Sequence, residues 1–379
     1  MRLLLHLTRI DAGGSRPRGR RMPCIAAPRM TVHDHAAVDD GRARGRGPVQ
    51  ATVRFFDLCL RGASQVFFQD NPVTGALLLT GILWAAAAGG TLRVGIGAVA
   101  GLVVGTGVAM LLRSDEAARG KGMFGFNPLL VGVAVPTFLE ETPTMWIYLV
   151  IGAAAAHVVT LALGSLLQPY GVAASTGPFV LATWLLLLGA YGFLRTPSGG
   201  LPAPALPHAI HPAAADVAIT PSFLVSTVFC NVSQVFLVKS VVAGALFVVG
   251  IAYASARAAL FALGGSAVAI ITSLALGADG ADLARGLLGF SPVLTSLALG
   301  AVYLRPSPRV TIYALFGTVF CVIIQGALGV LLRPYGIPTL TMPYVLTMWL
   351  FTLSKSDVAL VSHSEPKRDP VHPVFAERA

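Results

Sequence analysis

The sequence is poor in charged residues. Only 12% of its 379 residues are Asp, Glu, Lys or Arg, whereas soluble globular domains carry about 25%. Hydrophobic residues make up 55% of the chain, and the mean hydropathy is +0.74. Such a chain has too few polar side chains to cover a water-facing surface, which excludes soluble enzymes and disordered proteins. The composition indicates a polytopic membrane protein.

Motifs for catalysis and for metal binding are also lacking. The four cysteines form no CxxC pair and have no metal-ligand spacing, so they are predicted to be ordinary thiols. The sequence contains no GxxxxGK[ST] phosphate-binding loop, no HExxH and no GxSxG, and its carboxylates show no paired pattern. We therefore predict no cofactor, no ATP-driven pump and no intramembrane enzyme.

The net charge of +10 does not indicate nucleic-acid binding. Ten of the 27 Lys and Arg residues lie in the first 50 positions, among Gly, Pro and Ala and without interleaved aromatic side chains. We predict that residues 1–49 form a basic, disordered tail at the cytoplasmic face, as the positive-inside rule favours. The C-terminal tail, residues 356–379, carries Lys367 and Arg368 and is predicted to lie on the same side.

The strongest pattern in the sequence is an internal repeat. Three blocks recur in the same order, at offsets between 164 and 169 positions. They are SQVFF at 64–68 with SQVFL at 233–237, GFNPLL at 125–130 with GFSPVL at 289–294, and PYG at 169–171 with PYG at 334–336. We predict two homologous halves, residues 50–197 and 220–355, joined by a Pro- and Ala-rich linker at 198–219.

The apolar stretches within the halves have lengths suited to a bilayer, which needs about 20 residues per helix. Four fall in the first half and five in the second, none of them before residue 73 or between 220 and 240. Residues 127–139 and 335–344 each contain two prolines and are predicted to be interrupted. Interrupted backbone persists in a membrane only where it faces protein or a hydrated cavity. Matching interruptions in two halves therefore predict a transport site near the midplane, whether the repeats are parallel or inverted.

The residues that recur within these segments are uncharged acceptors and bulky apolar groups: Gln65 with Gln234, Thr176 with Thr341, Phe126 with Phe290, and Phe68 with Leu237. A cation pore needs carboxylates or a carbonyl filter and an anion pore needs Arg or Lys, and neither is duplicated. Removing the water from a solute N–H costs about 2–7 kcal/mol unless another hydrogen-bond acceptor takes the place of that water. Oxygen acceptors between aromatic walls suit a small, flat, neutral solute rich in N–H groups. Taken singly, each of these residues also fits a role in helix packing. Their repetition at matching positions in the two halves favours a role in a pore.

With these motifs, the chain resembles the urea transporter family of bacteria and vertebrates. The resemblance covers about residues 50–355. Its motifs are QVFF at 65–68 with NP at 71–72, GFNP at 125–128, and a Thr-x-Pro-aromatic signature that is clearest as IPTLTMPY at 337–344. In the first half the signature reads VAASTGPF at 172–179, without the Leu-Pro start. In the second half Lys239 and Ser240 replace Asp70 and Asn71.

The resemblance implies an all-α polytopic membrane protein with two inverted halves of about five transmembrane helices each, and broken helices around a central pore. It also implies a homotrimer of independently conducting subunits. Narrow slots, solute acceptors and a threonine from each half at the midpoint would line the pore. On this sequence the slots are Phe68, Phe126, Leu130, Leu237, Phe290 and Leu294, with Val66 and Val235 beside them; the acceptors are Gln65 and Gln234; the midpoint residues are Thr176 and Thr341.

The function implied is channel-like facilitated diffusion of urea down its gradient, in a plasma or inner membrane, with both termini cytoplasmic. The partners are then urea, the lipid bilayer and further copies of the chain, and not nucleic acid. A channel for short-chain amides is an alternative, because such amides share the planar group of urea.

Two further alternatives depend on ionisable residues. An ammonia channel is expected to use paired pore histidines, but only His157 lies in an apolar segment and its repeat counterpart is about Val322. A proton-coupled transporter needs an ionisable residue in the path. Glu140 and Glu141 are predicted to lie in a solvated loop, whereas Asp70 lies beside a pore motif and could charge the pore mouth.

Overall fold

The computed structural model describes residues 48–207 and 218–354, and these form fourteen α-helices joined by loops and short 3₁₀ or π turns. Most of the predicted basic tail (1–49), the predicted C-terminal tail (356–379) and part of the predicted linker (198–219) lie outside the described residues.

The helices follow the same order in the two halves. In the first half they are α1 (Pro48–Ser64), α2 (Pro72–Ala88), α3 (Leu92–Leu111), α4 (Glu116–Gly120), α5 (Phe126–Phe138), α6 (Pro143–Leu167) and α7 (Gly177–Ala190). In the second they are α8 (Pro221–Ser233), α9 (Val241–Ala254), α10 (Ala256–Ala275), α11 (Gly280–Ala284), α12 (Phe290–Leu297), α13 (Pro308–Leu332) and α14 (Met342–Leu353). α3 and α10 each have 20 residues, and α6 and α13 each have 25.

The long helices identify a membrane protein. α3, α6, α10 and α13 are long and apolar enough to cross a bilayer, and α1–α2 and α8–α9 form two pairs, each bent by 77° at a short break. α5, α7, α12 and α14 are shorter apolar helices. The prediction of an all-α polytopic protein with broken helices is therefore confirmed, while the boundaries of the two halves stay a prediction.

The predicted interruption at residues 127–139 is wrong, because α5 is one continuous helix. Pro128 lies in its first turn, where the backbone N–H has no partner within the helix, so a proline is tolerated. Pro136 lies in the last turn, where only one intrahelical bond is lost. The second predicted interruption is present: a 3₁₀ turn at Arg333–Tyr335 and a loop separate α13 from α14.

The sequence did not predict α1 and α8. α1 carries charged residues that lower its mean hydropathy, and Arg61 pairs with Asp57 at 2.8 Å on one face of the helix. α8 is rich in Ser, Thr and Asn. These helices form the first arms of the bent pairs, so two interruptions that the sequence did not predict lie directly after them.

Each break is a 3₁₀ turn that ends in a left-handed residue. Gln65–Phe67 ends at Phe68, with φ 59°, and Gln234–Phe236 ends at Leu237, with φ 54°. The backbone N–H of each left-handed residue closes the turn on the glutamine carbonyl, at 2.9 Å in both halves. The repeated SQVF motif therefore encodes a turn that fixes where the glutamine and the following bulky residue point.

A serine before each turn joins the two arms of the bent pair. Ser64 Oγ accepts the backbone N–H of Asn71 at 3.2 Å, and Ser233 Oγ accepts that of Ser240 at the same distance. Asn71 in turn caps α2, since its side-chain oxygen accepts two backbone N–H groups of the first turn. Backbone groups freed by the break thus find partners within the protein, as a membrane requires.

Repeated glycines let the arms cross closely. A Cβ at Gly75 would collide with the carbonyl oxygen of Leu60, and a Cβ at Gly244 would collide with that of Phe229. These two glycines therefore recur because any other residue would push the arms apart.

The halves contact each other reciprocally. Trp184 Nε1 donates to the carbonyl of Pro338 at 2.9 Å, and its repeat counterpart Trp349 donates to Ala173 at 2.9 Å. Because the acceptors are also counterparts, the two hydrogen bonds are exchanged by a pseudo-two-fold axis. The two signature loops therefore meet at this axis.

Candidate transport pore

The two predicted midpoint threonines lie side by side on the pseudo-two-fold axis. Thr176 and Thr341 directly precede α7 and α14, and their hydroxyl oxygens are 2.8 Å apart. Each side chain is 2% exposed. Since the residues are repeat counterparts, a contact between them must lie where the halves meet.

The two predicted glutamine acceptors have matching environments. Gln65 Nε2 donates to the backbone carbonyl of Lys121 at 2.8 Å, and Gln234 Nε2 donates to that of Arg285 at 2.9 Å. Lys121 and Arg285 directly follow α4 and α11, at corresponding positions in the two halves. Because the amide nitrogen is held in this way, the amide oxygen is the atom left to accept an N–H from a solute.

The eight apolar candidates belong to one contiguous hydrophobic cluster. Its buried members among them are Val66, Phe126, Leu130, Val235, Phe290 and Leu294, and Phe68 and Leu237 pack against it half-buried. Phe126 and Phe290 begin α5 and α12, so the first turn of each short helix presents an aromatic ring within this cluster. The predicted slot residues thus share the main hydrophobic core of the protein, while their arrangement as slots and their role in transport stay a prediction.

Asn127 was not predicted as a site residue, yet it connects three elements of the first half. Its Nδ2 donates to Thr160 Oγ1 at 3.2 Å and to the carbonyl of Ser175 at 3.1 Å, and its Oδ1 accepts the N–H of Phe179 at 3.3 Å. The side chain thereby fixes the start of α5, next to Phe126, against α6 and the start of α7. Repetition gave no signal for it, because the corresponding residue of the second half is Ser291; its place in the GFNP motif was the available signal.

A group of hydroxyls beside Phe68 was also missed. The Phe68 ring meets Tyr303 and Tyr344 edge to face, with ring centroids 5.9 and 6.2 Å apart. The Tyr344 hydroxyl lies 2.5 Å from Ser175 Oγ. Both tyrosines come from the second half, whereas Phe68 and Ser175 come from the first, so single-half motifs gave no signal for this contact.

The carboxylates near the predicted path are placed at the surface or are paired. Asp70 Oδ1 forms an ion pair with Arg61 at 2.7 Å, next to the first break. Glu140 and Glu141 are exposed between α5 and α6, as predicted. Within the described ranges, no three His, Cys, Asp or Glu side chains are grouped so as to hold a metal ion.

His157 is fully buried in α6. Its Nε2 lies 3.0 Å from Ser114 Oγ, and its ring meets Phe124 edge to face at 5.0 Å. These contacts hold the end of α3 against α6 and fit a histidine that packs helices together.

A family model described as "UT: Urea transporter" matches residues 56–356, which include α2 to α14 and most of α1. The chain belongs to the urea transporter family. Among its relatives in that family, urea transporter 1 of Capra hircus is 28% identical over 310 residues, covering 79% of this chain and 77% of the relative. Urea transporter 1 of Rattus norvegicus is 27% identical over 334 residues and covers 83% of both chains.

Membership in the urea transporter family agrees with the geometry described above. The matched range contains both glutamines, both threonines and all eight apolar candidates. The family is one of transport proteins, and the apolar helices make this member a multi-pass membrane protein.

Proposed function

We propose that the chain conducts urea down its gradient by channel-like facilitated diffusion, along a path that passes Thr176 and Thr341. The observation that carries this proposal is the matched environment of Gln65 and Gln234, each held by a backbone carbonyl so that its amide oxygen can accept an N–H. Urea transporter 1 proteins as relatives support the choice of urea as solute.

The proposed path replaces the water that urea loses. The glutamine oxygens accept N–H groups at the two ends, and the threonine hydroxyls offer both a donor and an acceptor at the midpoint. Phe68, Phe126 and Phe290, with Leu130, Leu237, Leu294, Val66 and Val235, keep the path narrow and flat. Binding at several weak sites permits rapid exit, which a channel needs.

We further propose that the halves at 50–197 and 220–355 are inverted and that the chain assembles as a homotrimer in a plasma or inner membrane, with both termini cytoplasmic. Each half contains five apolar units, namely a bent pair, two long helices and two short ones. If every unit crosses the bilayer, the number of crossings is odd, so the second half is inverted relative to the first. Native mass spectrometry in detergent tests the trimer, and protease access to the tails of sealed vesicles tests the orientation.

Stopped-flow light scattering on proteoliposomes tests the transport proposal. A urea gradient is compared with glycerol and ammonium gradients of equal osmolarity, with and without a proton gradient. We expect fast, saturable urea flux that is indifferent to the proton gradient. Urea flux no faster than that of empty liposomes, from folded protein, contradicts the proposal.

Variants connect that flux to the site. Gln65→Ala and Gln234→Ala are each expected to reduce urea flux by about tenfold, because a dehydrated solute N–H left without its acceptor costs about 1–3 kcal/mol. Gln168 is an exposed glutamine in the 3₁₀ turn after α6, so Gln168→Ala is the matched control with unchanged flux. Three other outcomes would favour the alternatives. Short-chain amides that pass as fast as urea would favour an amide channel, and ammonium flux would favour an ammonia channel. Urea flux that depends on the proton gradient would favour a proton-coupled transporter.

A further inference from the structure

The two ends of the candidate pore share a backbone design but differ in side chains. At the first end, the hydroxyls of Ser175 and Tyr344 lie 2.5 Å apart, and Tyr303 interacts with both. The rings of the two tyrosines each meet Phe68 edge to face. A hydroxyl cluster therefore lies directly beside a predicted slot residue.

The counterparts of these residues at the other end are all apolar. Leu237 stands where Phe68 stands, Leu340 where Ser175 stands, and Phe179 where Tyr344 stands. Ser175 and Leu340 have the same left-handed backbone, with φ 50° and 48°. At this pair of positions the two ends therefore differ in the side chain and not in the backbone.

The third hydroxyl is positioned by a local irregularity. α12 continues into a π turn at Ala298–Val302, which ends at Tyr303. The turn adds one residue relative to α5, so that α6 and α13 begin 165 positions apart and Tyr303 corresponds to the apolar Phe138. π turns inside helices occur frequently at functional sites. This one places Tyr303 against Phe68 and Tyr344.

The cluster supplies what the glutamines lack. The glutamine oxygens accept hydrogen bonds, but the carbonyl oxygen of urea needs a donor. Three hydroxyls carry three protons, and a chain of hydrogen bonds among them uses two, which leaves one proton for the solute. Tyr344 is fully buried, whereas Ser175 and Tyr303 are partly exposed residues, so we assign the free donor to one of these two.

We propose that Ser175, Tyr303 and Tyr344 form a donor subsite for the carbonyl oxygen of the solute at the Phe68 end of the pore, with no equivalent beside Leu237. This inference rests on the proposed urea function and adds a determinant of specificity to it. The subsite favours urea over thiourea, because sulfur is a much weaker hydrogen-bond acceptor than a carbonyl oxygen.

The test is the ratio of urea to thiourea permeability in proteoliposomes. Tyr344→Phe removes the hydroxyl and keeps the ring that packs on Phe68, and Ser175→Ala removes a hydroxyl from the other side of the cluster. Each variant is expected to raise the half-saturation concentration for urea by about threefold to tenfold, as the loss of one hydrogen bond predicts. Thiourea flux should stay unchanged, so the permeability ratio falls by a similar factor.

The control is Tyr313→Phe, because the Tyr313 hydroxyl bonds the carbonyl of Phe351 and its ring packs against a separate hydrophobic cluster. Its permeability ratio should equal that of the wild type. If Tyr344→Phe and Ser175→Ala lower urea and thiourea flux equally, the hydroxyls serve packing alone and the inference fails while the proposed function stands. If the wild-type protein shows no urea flux, both fail.

Discussion

At the scale of single residues, the candidate pore depends on side chains that are fixed by the backbone. Gln65 and Gln234 stand at the start of 3₁₀ turns, and their amide nitrogens are held by the carbonyls of Lys121 and Arg285. The residues directly before the two threonines, Ser175 and Leu340, have positive φ. The polar atoms are therefore in place before any solute arrives, which lowers the cost of ordering them on binding.

The threonine pair gives a prediction at this scale. Thr176→Val and Thr341→Val keep the side-chain shape and remove a hydroxyl, so each leaves its partner without the 2.8 Å contact. A buried solute that loses one of these hydroxyl partners loses about 1–3 kcal/mol, and we expect urea flux to fall about tenfold in either variant.

Thr183→Val is the control for the threonine variants. Thr183 is a buried threonine in α7 whose hydroxyl has no hydrogen-bond partner among the described residues. Stopped-flow flux in this variant should equal that of the wild type. An unchanged flux in Thr176→Val and Thr341→Val would exclude the threonines from the path.

The sequence marked part of the candidate site for a specific reason. Gln65, Thr176 and their counterparts recur in register, so repetition marked them. Asn127 and Tyr303 lack this signal, because Ser291 and Phe138 stand at the corresponding positions. Their importance comes from contacts between distant helices or between halves, which one sequence does not reveal.

At the scale of helices, close backbone contact holds the bent pairs. Gly75 and Gly244 lie where one arm crosses the carbonyl of the other. The interruption predicted within α5 was wrong because its two prolines lie in the first and last turns, where a helix tolerates them. The sequence missed α1 and α8 because the mean hydropathy of these helices is only moderate. The repeated SQVF motif nevertheless marks the breaks within the two bent pairs.

The glycine crossings give the second prediction. Gly75→Ala and Gly244→Ala must separate the arms, and overpacking typically costs about 1–3 kcal/mol. Gly107→Ala in α3 meets no atom within 4 Å and serves as the control. Thermal unfolding in detergent should show a lower midpoint for the first two variants only. Equal midpoints for all three would mean that the arms can relax without loss.

Two arginines hold the ends of the short helices that begin with Phe126 and Phe290. Arg93 Nε donates to the carbonyl of Pro136 at 3.0 Å, and its counterpart Arg257 donates to that of Gly300 at 2.9 Å. These carbonyls lie in the last turns, where the helix supplies fewer partners and where positive charge is favourable. Both arginines thus act as caps from a neighbouring helix.

This capping gives the third prediction. Arg93→Met and Arg257→Met keep the length of the side chain and leave a carbonyl without its donor, at a cost of about 1–3 kcal/mol. Both should lower the thermal midpoint, and Arg→Lys at either site should restore part of the loss. Arg113→Met is the control, since the Arg113 side chain has no described hydrogen bond. A midpoint equal to that of the control would show that water replaces the arginine.

At the scale of the whole molecule, the pseudo-two-fold axis organises the fold. The axis exchanges the two tryptophan bonds, and the threonine contact joins counterparts across it. The repeat in the sequence predicted two halves, but it did not predict how they meet. That arrangement depends on contacts between residues more than 150 positions apart, such as Trp184 and Pro338.

The reciprocal tryptophans give the fourth prediction. Trp184→Phe and Trp349→Phe each remove one hydrogen bond between the halves, worth about 1 kcal/mol. Because the bonds are related by the axis, the two variants should lower the thermal midpoint by similar amounts. Very unequal effects would show that the halves are held together mainly at one signature loop.

The unequal ends of the path have a consequence for kinetics. A passive pore obeys microscopic reversibility, so the ratio of maximal flux to half-saturation concentration must be identical for influx and efflux. Hydroxyls beside Phe68 and apolar side chains beside Leu237 can therefore give influx and efflux different maximal fluxes. The half-saturation concentrations of the two directions must then differ by the same factor. We therefore expect equal flux in both directions at low urea concentration and different maximal fluxes near saturation.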